Sequence, residues 1–163
     1  MQDDDLTARV ARLEEQVAHL TQQPAARPSL DDQFAHLAAL EADVPQPGGV
    51  LMVGSVTVAA GPVRWEWGQT LEAVQESDWT QVAGSLSALA HPVRLTLMKL
   101  VLEGTETTGD LLAHPELAST GKLHHHLRQL VAEGWLVTAS RGRHTIPPER
   151  VVPLLVLIMA ARR

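Results

Sequence analysis

The 163-residue chain has no cysteine, which excludes disulfides and thiolate metal sites. Long apolar runs are also missing. The longest, Leu154 to Ala161, falls far short of the ~20 residues that a membrane-spanning helix needs. Met1 to Leu6 is acidic and no apolar run follows a basic start, so no secretory signal, no membrane and a cytoplasmic location are expected. No phosphate-cradling glycine loop and no nucleophile–base pair is apparent, so neither an enzyme nor a cofactor is expected.

What is present is unevenly distributed. Residues 1–81 carry four Lys/Arg against thirteen Asp/Glu, a net −9, whereas residues 82–163 carry nine against six, a net +3, and six of the eight histidines. Opposite charge in the two halves points to separate tasks. The pattern divides the chain into four segments: a heptad helix at 1–22, a linker with a short helix at 23–49, a β-hairpin extension at 50–77 and a helical domain at 78–163.

In the first segment Leu6, Val10, Leu13, Val17 and Leu20 form a heptad seam. It spans little more than two heptads and is marginal alone; a partner helix, and with it a higher oligomer through residues 6–20, is one reading, and packing on its own domain the other. After the proline-containing linker at 21–29, Leu30, Phe34, Leu37 and Leu40 share a helix face ending near Val44. PQPGG at 45–49 breaks the chain. Over 50–68 the period becomes two: Val56 and Val58, then Val63, Trp65 and Trp67, alternate with polar residues around a turn at Ala60-Gly61-Pro62. A lone hairpin is marginal in water, so Trp65 and Trp67 must cover something: a small-molecule pocket, the core or a subunit contact.

From Asp78 the pattern is helical, with Trp79, Val82, Leu86 and Leu89 in register. Pro92 to Glu103 reads as a buried central helix ended by Gly104, and Thr107 to Leu112 as a short helix. A turn at Ala118-Ser119-Thr120 leads to a helix running to Glu133 with Leu123, Leu127, Leu130 and Val131 inward. Gly134 ends it, and a hairpin comes next: strand 135–138, the basic turn Arg141-Gly142-Arg143, and strand 144–146. This order predicts a mainly α fold with a small β component, a winged helix-turn-helix domain preceded by a β-hairpin and an N-terminal helical or coiled-coil extension.

The residue types suit docking on double-stranded DNA, where a recognition helix is apolar on one side and carries donors on the other. Ser119 or Thr120 caps the helix, and taking away the buried positions leaves Thr120, Gly121, Lys122, His124, His125 and Arg128 on the outer face, with no acid before Glu133. Lys122 and Arg128 suit phosphates or guanine edges. Gly121 permits close backbone approach, and Arg141 and Arg143 suit phosphate or minor-groove contact. His124-His125-His126 does not make a metal site: consecutive helix positions point about 100° apart and cannot close a tetrahedral shell. A groove-facing or packing role is expected, with His126 leaning toward the core.

Residues 86–137 resemble the ArsR-like winged-helix regulators. The likeness is carried by LSALAHPVRLTLMKLVLEG at 86–104, GDLLAH at 109–114 and STGKLHHHLRQLVAEGWLV at 119–137. It implies a homodimer on a palindromic operator, usually a repressor relieved by an effector, with base contacts from Thr120, Gly121, Lys122, His124 and His125. The family's metal sensors often place cysteines in the short helix, where this chain has Glu106-Thr107-Thr108-Gly109-Asp110, or Asp and His on the last helix, where Val151 to Arg163 has none. Metal sensing at those places is not implied, and the effector is left unknown. The last helix is apolar nearly all round, so a second subunit is expected to cover it through Leu154, Leu155, Leu157 and Ile158. A competing reading takes the winged helix as a scaffold for protein interaction, with the acidic half binding a partner or occluding the DNA face.

Overall fold

The computed structural model describes residues 9, 12, 35–44, 46–117, 120–139 and 142–162. The chain divides into two compact units, Met1–Pro45 and Gln46–Arg163. In the first, α1 (Ala35–Asp43) is helical with no buried residue. Leu30 and Phe34 of its expected apolar face lie outside the described residues. So does the heptad seam: only the helical, exposed Arg9 and Arg12 of that stretch are described.

The second unit opens with a long antiparallel hairpin, β1 (Gly49–Val58) and β2 (Gly61–Thr70). Its register runs from Gly49↔Thr70 to Val58↔Gly61. The turn is therefore Ala59-Ala60, one residue earlier than the spacing predicts; Gly61, at φ 121°, is already the first paired residue of β2. One face carries Met52, Gly54, Val56, Val58, Val63 and Trp65, all at least partly covered. Gly54 sits in mid-strand for a packing reason: a Cβ there would come within 2.7 Å of Val152 Cγ1. The hairpin's turn is tied to the helical part by Ala59 N–H, which donates to Leu102 O at 3.4 Å.

A short helix unforeseen in the sequence, α2 (Leu71–Glu76), is capped by Thr70 Oγ1, which accepts from Ala73 N at 3.3 Å. Asp78 caps the next helical stretch, accepting from Thr80 N at 2.9 Å. Its first turn is a 3₁₀ turn (Trp79–Val82), and regular helix starts only at α3 (Ala83–Leu89). Then come α4 (Pro92–Leu102), α5 (Thr108–Leu112), a 3₁₀ turn (Pro115–Leu117), α6 (Thr120–Ala132), β3 (Val137–Ala139), β4 (Arg143–Thr145) and α7 (Pro148–Ala160). β3 starts later than expected because Trp135 and Leu136 are drawn into the core. Helix α7 starts at Pro148 and not at Val151: the fixed φ of proline suits the first helical turn, and Glu149 lies in it. Arg162 comes just after its end and donates its N–H to Met159 O at 3.2 Å.

The core joins every helix from α3 to α7. Leu97, Met98, Leu111, Leu123, Leu130, Trp135 and Leu136 are fully buried, and Val56, Val58 and Val63 of the hairpin pack on the same cluster. The described fold is thus mainly helical with a small β component of two two-stranded hairpins. Among the described residues no helix is long and apolar enough to cross a membrane.

Candidate nucleic-acid interface

Helix α6 has one apolar stripe. Leu123, Leu127 and Leu130 are buried, and at about 100° per residue they fall on one side. The opposite arc holds Gly121, Lys122, His124, His125 and Arg128, all exposed. No carboxylate lies on this helix, and Arg128 Nε reaches back only to its own helix at His124 O, 3.4 Å away. The face therefore carries the cations Lys122 and Arg128 and, among the described residues, no acid. A Cβ built on Gly121 would meet nothing within 4 Å, so packing gives no reason for a glycine there. Ser119 and Arg141 lie outside the described residues, as does the side chain of Thr120.

The β3–β4 hairpin is lashed to the segment before α5. Arg143 Nη1 bonds Glu106 Oε2 at 3.0 Å, His144 N–H donates to Glu106 O at 2.8 Å, and Thr108 Oγ1 donates to Gly142 O at 3.0 Å. The Arg143 side chain stays 57% exposed while that of Glu106 is 20% exposed, so the arginine is aimed without being buried. Gly142, at φ 71°, makes the tip turn. His144 is buried between Thr108 Oγ1 (3.4 Å) and Thr138 Oγ1 (3.5 Å). Burial, and then the charge of His124, push its pKa below the ordinary histidine value.

What holds α6 in place is a residue to which periodicity assigned no role. Arg94 is only 9% exposed. Its Nε donates to Ala88 O, its Nη2 to Ser87 O at 2.9 Å and its Nη1 to Gln129 Oε1 of α6 at 2.6 Å. The cause is legible in hindsight. The carbonyl of Ala88 would normally accept from residue 92, but residue 92 is a proline with no N–H. His91 completes the junction: its Nδ1 accepts from Val93 N at 3.2 Å as N-cap of α4. The His91-Pro92-Val93-Arg94 run is a helix–helix corner whose missing donor comes from the arginine fork.

His126 leans inward, its ring 4.8 Å from that of His91 and 5.6 Å from that of His125. Its pKa is lowered by burial first, then by the charges of His91, Arg94, His125 and Lys122. Among the described residues no three His, Asp or Glu side chains gather as a metal-ligating group. Trp135 closes the back of α6, its Nε1 donating to Ser85 O at 2.9 Å, with the Arg150 guanidinium 4.9 Å above its ring.

The apolar candidates separate. Leu154 is buried within its own unit, whereas Leu155, Leu157 and Ile158 are half-buried and Met159 is 69% exposed. Between α4 and α7 lies an apolar groove of about 400 Å³ lined by Leu95, Met98, Leu102, Leu154, Leu155 and Ile158. Trp79, Val82 and Leu86 form a second exposed apolar stripe that the helical register alone did not mark as exposed. Trp65 is half-buried, with its Nε1 buried and without an acceptor among the described residues, and Trp67 is 53% exposed. Compared with known protein families and with curated proteins, the chain gives no match.

Proposed function

We propose that this chain is a sequence-specific regulator of transcription that binds double-stranded DNA through a winged helix-turn-helix domain, as a cytoplasmic homodimeric repressor. The observation that carries the reading is the outward face of α6: Gly121, Lys122, His124, His125 and Arg128 exposed together, with no acid among them. In this reading α5 and α6 are the helix-turn-helix and β3–β4 is the wing. Helix α6 is about 20 Å long, and what it offers a major groove is its exposed side chains and the Gly121 backbone. Lys122 and Arg128 supply phosphate or guanine contacts, and the histidines supply ring nitrogens to base edges. Arg143, held by Glu106, supplies a backbone contact beside them. The ArsR-like resemblance of residues 86–137 points the same way.

The dimer rests on the groove between α4 and α7 and on the stripe of Trp79, Val82 and Leu86. Apolar surface of this kind on a small unit calls for a partner, and a second copy brings the same surface. The test is Lys122→Ala combined with Arg128→Ala, read by fluorescence anisotropy on duplexes selected from a random pool. Loss of two phosphate contacts lowers the slope of log affinity against log salt by about 1.8. An unchanged affinity and slope overturn the proposal.

The net −9 over residues 1–81 favours an addition: the acidic half competes with phosphate for the cationic face. Deleting residues 1–45, which form a compact unit of their own, then tightens DNA binding; unchanged affinity removes this addition and leaves the first reading standing.

A further inference from the structure

A cavity of about 360 Å³ lies where β1–β2, the end of α4, the wing and the start of α7 meet. Its size falls within the range of small-molecule pockets, roughly 300–1,000 Å³. Its floor is apolar: Val58, Val63, Val101, Ile146 and Val151 line it, with Trp65 as the aromatic wall. Its ionisable side chains are two carboxylates and one arginine. Arg64 lines the rim, but strand alternation starts its side chain from the hairpin face opposite Val63 and Trp65, where the residue is exposed. Glu106 and Glu149 remain. Glu106 is the more informative: its Oε2 is held by Arg143 at 3.0 Å, and among the described residues its other oxygen receives no donor. An acceptor of negative charge, mostly shielded from water, at the edge of an apolar chamber with an indole wall, selects a cation on an apolar body.

We propose that this cavity is a binding site for a small apolar amine, and that its occupant acts on the wing through Glu106. The ammonium shares the Glu106 carboxylate with Arg143, and the apolar body lies against Trp65. The same residue holds the wing by its backbone, since Glu106 O accepts from His144 N at 2.8 Å. Occupancy therefore reaches Arg143 over a single side chain. The site stands independently of DNA binding; only the description of its ligand as an effector rests on the regulator reading.

The experiment uses the full chain with its indole and guanidinium nitrogens labelled, and phenethylamine as the probe beside phenethyl alcohol and phenylacetate. Of the four tryptophan indole resonances, that of Trp65 is assigned by Trp65→Phe. Phenethylamine moves it saturably and binds at least about fivefold tighter than the alcohol, and phenylacetate leaves it in place. The Nε–H resonance of Arg143 moves with the same saturation. Glu106→Gln weakens the amine about tenfold and leaves the alcohol unchanged. Glu149→Gln, at an exposed helix start, weakens the amine by a smaller factor. A Trp65 resonance indifferent to the amine, equal binding of amine and alcohol, or full amine affinity in both variants overturns the site. An Arg143 resonance that stays put while Trp65 shifts overturns the link to the wing. None of these readouts needs DNA, so failure of the regulator reading leaves them interpretable.

Discussion

Replacing Arg94 by methionine keeps most of the stem volume and removes the guanidinium. Three acceptors are affected, and they are not equal. Ala88 O faces Pro92, which has no N–H, so it loses the donor that the fold supplies. A buried acceptor left unpaired costs about 1–3 kcal/mol. Ser87 O keeps Ala90 N at 3.2 Å, and Gln129 is exposed and turns to water, so each of these losses is small. Against them stands relief from burying the guanidinium charge, which apolar replacement recovers in part. The net is a destabilisation of about 2 kcal/mol, or a Tm lower by roughly 8 °C at about 4 °C per kcal/mol for a unit of this size. Arg94→Lys falls between, because one ammonium does not span three acceptors. Differential scanning calorimetry gives the Tm, and amide exchange along α6 shows whether the helix has loosened. A methionine variant melting with the native chain would refute the argument that Pro92 makes this arginine necessary.

Three other outcomes are expected. Gly121→Ala raises stability by up to about 1 kcal/mol, because a helical alanine there meets no obstacle, and it weakens DNA binding; urea unfolding and anisotropy read the two, and stabilisation with undiminished affinity would remove Gly121 from the contact surface. His126 and His144 both have folded pKa values below their unfolded value. The unfolded chain therefore takes up protons first, and stability is full above pH about 6.5 and declines as pH falls below it; a Tm that holds steady between about pH 7.5 and pH 5 would contradict this. Ile158→Glu puts a charge into the apolar groove between α4 and α7, and sedimentation should show a shift from dimer to monomer; a native dimer in that variant places the interface elsewhere.

The order of elements over residues 92–146 was readable because each carries its own local cause. A proline starts α4, left-handed glycines at 104 and 134 end α4 and α6, and a leucine at every third or fourth position marks the inner face of α6. The exposed donors of α6 follow from the same spacing, since whatever does not point inward on an amphipathic helix points out. Other features do not depend on neighbours in the chain. The turn of the first hairpin moved by one residue because the register of ten pairs set it, and α2 is too short to leave a periodic trace.

Local sequence thus determined which stretches coil or extend, and which side of α6 is polar, because helix and strand periods depend only on residues a few positions apart. Tertiary structure alone decided that Arg94 would bridge α3, α4 and α6, that Glu106 would hold Arg143, and that Gly54 would let Val152 approach the hairpin. These pairs are separated by 35, 37 and 98 positions. Contacts at that range leave no pattern in the chain, because they are made by packing after the elements exist.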